Sequence, residues 1–307
     1  MTVLLVVLAF SFAWSIGSHY TGACMGKPYA LGAISARRAL LAMAPLALLG
    51  AAFASGKVAT TVGRRLIAAT PTRLGEVVIV AVAFAVTAVY NRARVPTSTI
   101  QLLVGAVAGT AVGAAAGVHW RTVATLVALW VAAPPAAAAL GFAVARAVGR
   151  VRRVGGGLVL VGCLASFAMG ANDVALASGA LVGPGVLSPR EAGALCGAGL
   201  ALGVLLTGRG LLDRVAFDIV ELDRPAATAA QLVQAAVILV SVSFGYFTSM
   251  NQALVGAMAG ARPTAVRRRT LLGILRGWVA GPPTSFTVAL VVALLVRWAH
   301  GADALAR

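Results

Sequence analysis

Apolar residues fall along this chain in about ten runs, near 1–16, 29–54, 75–90, 100–118, 123–145, 157–170, 191–207, 228–246, 252–261 and 271–296. A membrane-spanning helix needs roughly 20 such residues. Runs 157–170 and 252–261 fall short, and each ends or begins at a cluster of glycine and polar residues. Short, interrupted apolar pieces predict helices broken near the membrane midplane. The longest polar stretches, about 57–73 and 208–227, leave no room for a soluble domain. The pattern predicts an all-α polytopic membrane protein with about ten helical segments.

Composition supports that reading. Hydrophobic residues make up 60% of the 307 and charged residues 11%, whereas a soluble domain is about half apolar and about a quarter charged. The N-terminal run has no basic residue before Lys27, so it reads as a first membrane segment and not as a removable signal peptide. Cys24, Cys163 and Cys196 sit among apolar or small residues without metal or disulfide spacing, and read as small core hydrophobes.

Lys and Arg number 25 against 8 Asp and Glu, a formal charge of +17. The basic residues punctuate the apolar runs and are not gathered on one module, which excludes nucleic acid as the expected partner. The lipid bilayer is the expected surrounding.

The chain also repeats itself. Trp130–Pro135 (WVAAPP) returns as Trp278–Pro283 (WVAGPP), 148 residues later. LVGAVAG (103–109) returns as LVGAMAG (254–260), 151 later, each just after a polar cluster, VPTSTIQ (95–101) and YFTSMNQ (246–252). GSHYTGACMG (17–26) aligns with GANDVALASG (170–179), 153 later. The elements keep their order, so the chain reads as two copies, 1–150 and 151–307, joined near RRVGGG (152–157).

Five segments per copy make the second enter the membrane in the opposite sense, an inverted-topology repeat. Assigning the loops alternately to two sides puts 17 Lys and Arg opposite the termini and 8 beside them. The basic side should be cytoplasmic, which places both termini outside a cell membrane. Inverted repeats are typical of secondary transporters, with the site where the halves meet.

The motifs carry a resemblance. GANDVALASG resembles the signature of the inorganic phosphate transporter (PiT) family, G-A-N-D-V-A-N-A. VPTSTIQLLVGAVAG resembles its V-P-V-S-T-T-H-A-I-V-G-A motif, and GKVATTVGRRLI its basic loop helix. The resemblance runs over nearly the whole chain. It implies a phosphate permease driven by a Na⁺ or H⁺ gradient, with no cofactor and a site formed by both Asn-Asp and both Ser-Thr motifs. Carried over, it makes Ser98, Thr99, Ser249, Asn251 and Asn172 substrate-binding, and Asp173 with Asn172 a candidate Na⁺ site. The family's first-half Asn-Asp falls here on His19 and Tyr20, so that carboxylate is gone. The second Asn of each signature is Ala23 or Leu176, and the second Ser-Thr-Thr-His has become Ser249, Met250, Asn251 and Gln252.

The residues themselves leave alternatives. Asp173 is either a cap beside a broken segment or a functional carboxylate; ionising it at the bilayer centre costs about 2.5–3.5 kcal/mol, which favours function. Asn172 offers an amide to a cation or an oxyanion. Ser98, Thr99, Ser249 and Asn251 either bond to neighbouring helices or aim donors at a tetrahedral oxyanion. Gln101 and Gln252, at the family's His positions, serve the site or join helices. His19 either carries a coupled proton or is a hydrogen-bonded remnant. Gly105, Gly109, Gly113 and Gly117 read as a helix-packing stripe, and Arg267–Arg269 as a topology anchor.

Three functions follow: a phosphate symporter, a permease for a related oxyanion such as sulfate, and a non-transporting regulatory relative. Sulfate carries no proton at neutral pH, so its pocket needs no acceptor. The carboxylate of Asp173 supplies one, which favours phosphate. No nucleophile–base pair or metal-ligand cluster points to an enzyme. The number of copies in the assembly is open, a homo-oligomer included.

Overall fold

The computed structural model describes residues 1–93, 97–149, 157–218, 222–265 and 268–306. The join expected at 152–156, Val95 and Pro96 of the first Ser-Thr motif, and Arg267 of the basic triplet lie outside the described residues. In the first half, α1 (Thr2–His19) and α2 (Thr21–Ala30) form one bent span, followed by α3 (Ala36–Ala54), α4 (Gly56–Arg64), α5 (Arg73–Arg92), α6 (Thr99–Gly113) and α7 (Trp120–Val148). The second half holds α8 (Gly157–Val182), α9 (Pro189–Asp218), α10 (Arg224–Ser243), α11 (Met250–Ala261) and α12 (Arg268–His300). Among the described residues, 8 spans are long and apolar enough to cross a membrane. The short α6 and α11 complete five segments per half. Their ends follow local chemistry: the Ser35 hydroxyl accepts from the Arg38 amide at the start of α3, and the Asp223 carboxylate from Ala226 at the start of α10.

Two expectations need correcting. The run 29–54 is interrupted by a turn over 31–35 that separates α2 from α3. The run 157–170 does not end in a broken helix, since α8 continues unbroken through Asn172 and Asp173 to Val182. Hydropathy drops there because polar side chains appear, but Ala, Asn, Asp, Val and Ser are all tolerated in a helix and no proline intervenes. The break sits instead in the other copy, at Tyr20 (φ −99°, ψ 5°) between α1 and α2.

Glycines that the sequence repeats align make matching contacts. Gly17 leaves no room for a Cβ against the Leu200 carbonyl, and its repeat partner Gly170 meets the Ala47 carbonyl in the same way. Leu200 and Ala47 are themselves repeat partners. Gly50 against Phe167 is matched by Gly203 against Trp14, Gly105 against Pro282 by Gly256 against Pro134, and Gly109 against Phe286 by Gly260 against Ala138. Thus α1 packs on α9 as α8 packs on α3, and α6 on α12 as α11 on α7. Contacts exchanged in this reciprocal way are what a two-fold relation produces. Small residues let the backbones approach, which is how helices adhere where lipid removes the hydrophobic drive.

α8 runs through the middle, and nearly every residue from Ser166 to Val182 is buried. α7 and α12 lie outermost, with Val131, Leu140, Val279 and Leu295 exposed as a lipid-facing surface requires.

Candidate functional site

The bend at Tyr20 turns its side chain into the interior, where the phenol shares a 2.8 Å hydrogen bond with the Thr99 hydroxyl. Tyr20 is buried and lies within electrostatic reach of Asp173. Thr99 begins α6, and Ser98 stands at its N-cap without bonding to the helix. Among the described residues the buried Ser98 Oγ has no partner. The first turn of α6 therefore keeps backbone N–H groups that no helical carbonyl or cap satisfies, an arrangement suited to an anion.

The second half solves the same corner differently. Ser249 does cap α11, accepting from the Gln252 amide at 3.4 Å. Asn172 clamps the segment before it, donating from Nδ2 to the Thr248 carbonyl at 2.9 Å and accepting at Oδ1 from the Thr248 amide at 3.2 Å. Its Nδ2 also reaches Asp173 Oδ2 at 3.1 Å. Asp173 Oδ1, fully buried, has no hydrogen-bond partner among the described residues. An unmatched carboxylate oxygen in the interior is costly unless a cation or a donor arrives.

These contacts bring most of the expected residues together. Asn172 meets the segment holding Ser249, while Tyr20 links Thr99 to the neighbourhood of Asp173. His19 is half-buried, its ring edge-on to Tyr20 with centroids 5.4 Å apart. Asn251 is half-buried on the first turn of α11.

Gln231 and Gln234 on α10 are buried polar residues that no sequence motif marks. Gln231 Nε2 donates to the Cys24 carbonyl at 2.6 Å, and Gln234 Nε2 to that of Met250 at 3.5 Å. Their amide oxygens, like those of Gln101 and Gln252, are buried and have no partner among the described residues. Two glutamines three apart in the middle of a membrane span were the available signal. Glu76, buried near the start of α5, was also missed.

Fold and site together define a polytopic helical membrane protein with a buried polar centre. A model of the phosphate transporter family matches residues 16–289, and the chain belongs to that family. It is 28% identical over 316 residues to the sulfate permease CysP of Bacillus subtilis, covering 97% of this chain and 89% of that protein. It is 30% identical over 327 residues to a probable low-affinity inorganic phosphate transporter of Mycobacterium tuberculosis, covering 95% and 78%. A solved structure described as "The sodium-dependent phosphate transporter" matches with a TM-score of 0.87 over 97% of this chain and 99% of the other, at 20% identity. At that identity the likeness speaks to the fold.

Proposed function

We propose that this protein carries inorganic phosphate across a cell membrane by cation symport. The observation that carries the proposal is Asp173 Oδ1, a buried carboxylate oxygen without a partner among the described residues, next to the Asn172 amide that holds the segment before Ser249. Asp173 holds the coupling cation, Na⁺ or H⁺. Asn172 fixes the carboxylate and the Thr248 backbone in register. Ser98, Thr99 and the open N-terminus of α6 donate to the oxyanion, with Ser249 and Asn251 approaching from the other half.

Phosphate is negatively charged at neutral pH, and each elementary charge moved against 100 mV costs about 2.3 kcal/mol. Binding the anion with a cation offsets this. The two copies, 1–150 and 151–307, are inverted repeats that rock against each other around the site, with both termini outside. The lipid-facing α7 and α12 also provide surface for a homo-oligomer.

One observation favours a second reading, the likeness to a sulfate permease. His19, beside Tyr20, would then serve proton coupling as it would for phosphate. Uptake of labelled phosphate and sulfate into proteoliposomes, with sodium and pH gradients imposed separately, tests both. Phosphate uptake driven by either gradient supports the proposal; sulfate uptake without phosphate uptake transfers it to the second reading.

A further inference from the structure

The Asp173 site makes no use of Glu76. This residue lies in the first turn of α5, 4% exposed. Among the described residues no hydrogen bond or ion pair reaches its carboxylate. The side chain aims at the crossing of α4 and α8: a Cβ placed on Gly183 would lie 2.6 Å from Glu76 Oε1 and 2.8 Å from the Gly63 carbonyl oxygen. The carboxylate and that carbonyl therefore flank the same glycine. Gly63 belongs to the last turn of α4, where carbonyls lack helical partners. α8 ends one residue before Gly183, so the negative ends of two helix dipoles converge on a buried acid.

The corner is built and covered. Thr72 donates its hydroxyl to the Ala304 carbonyl at 2.6 Å and its amide to that of Leu305 at 2.9 Å, which lays the C-terminal tail over the start of α5. Arg64, the nearby cation on α4, directs its guanidinium to the Val182 carbonyl at 3.3 Å and caps α8. The second copy has no equivalent acid, because either repeat offset, 151 or 153, puts alanine there (Ala227 or Ala229).

We infer that Glu76 and the Gly63 carbonyl form a cation site separate from Asp173, suited to sodium. Buried charges are paired or hold a metal. Carboxylate and peptide carbonyls are hard oxygen ligands, and one carboxylate balances one monovalent ion. This site would return to the first half a cation-binding acid where Tyr20 offers none.

The test is thermal unfolding of the purified protein in detergent, with sodium chloride titrated against choline chloride at constant ionic strength. The Asp173→Asn variant serves as the background, so that the site proposed above is silent. Sodium should still raise the unfolding temperature of Asp173→Asn, since a ligand bound only by the folded state stabilises it. Adding Glu76→Gln should weaken the apparent sodium affinity about tenfold or more, the scale of one charged ligand. Adding Gly183→Ala, which keeps the charge but crowds Oε1, should do the same with helix content unchanged by circular dichroism. A sodium response already absent in Asp173→Asn, or one that survives both additions, overturns the inference.

Discussion

The phenol of Tyr20 and the hydroxyl of Thr99 share a 2.8 Å hydrogen bond that ties the two first-half motifs to each other. The repeat aligns Tyr20 with Asp173. One half thus holds a carboxylate with an open oxygen, and the other a neutral hydroxyl that is already engaged. The glycine contacts of the two halves match, while the chemistry at these two positions differs.

Tyr20→Asp restores the second carboxylate, so the variant should move one more positive charge with each substrate than the parent. Reversal potentials in proteoliposomes at fixed substrate gradients measure that ratio. An unchanged ratio with uptake intact would mean that the Tyr20 corner is not an ion site.

Asn172 acts through the backbone of Thr248. Asn172→Ala leaves one buried N–H and one buried C=O unmatched, each costing about 1–3 kcal/mol. The unfolding temperature should fall by several degrees, and Asn172→Asp should not restore it, because a carboxylate cannot donate to the Thr248 carbonyl. Parental stability in Asn172→Ala would dissolve the clamp.

Ser98 presents the opposite case. Among the described residues its Oγ bonds to nothing, so Ser98→Ala should cost no stability. Phosphate affinity should nevertheless fall about tenfold, because a hydrogen bond to a charged group contributes about 1.5–3 kcal/mol. Measured together, unfolding temperature and half-saturating phosphate separate binding from structure. Equal affinity would make Ser98 a packing residue.

Much of this was legible in the sequence, for a physical reason. In a membrane the apolar runs must be helices, since no other open structure satisfies the backbone there, and a duplicated chain repeats its motifs in order. Asn172, Asp173, Ser98 and Thr99 stood out because polar groups are expensive in such surroundings. The continuity of α8 was not legible, because hydropathy falls at a polar signature whether or not the helix stops. The Tyr20–Thr99 bond joins residues 79 apart, and only the tertiary fold could reveal that the hydroxyl aligned with Asp173 is engaged. Glu76 escaped notice because a lone acid near the start of a segment looks like an exposed first-turn residue; its burial depends on α4, α8 and the tail.

The reciprocal glycine contacts give a packing prediction. Gly105→Val and Gly256→Val should each drive a side chain into a proline carbonyl of the other half, with a destabilisation of about 1–3 kcal/mol or more from overpacking. Gly210→Ala, with open space around it, should be silent. Unfolding temperatures of the three variants check this. Tolerance at Gly105 alongside damage at Gly256 would break the proposed equivalence of the two halves.

The most direct measurement is gradient-driven uptake by Asp173→Asn, which preserves shape and removes the charge. Reconstituted in proteoliposomes at parental yield, the variant should take up no labelled phosphate under an inward sodium or proton gradient, while the parent accumulates it. Accumulation by Asp173→Asn equal to that of the parent would contradict the claim that this carboxylate couples cation and anion.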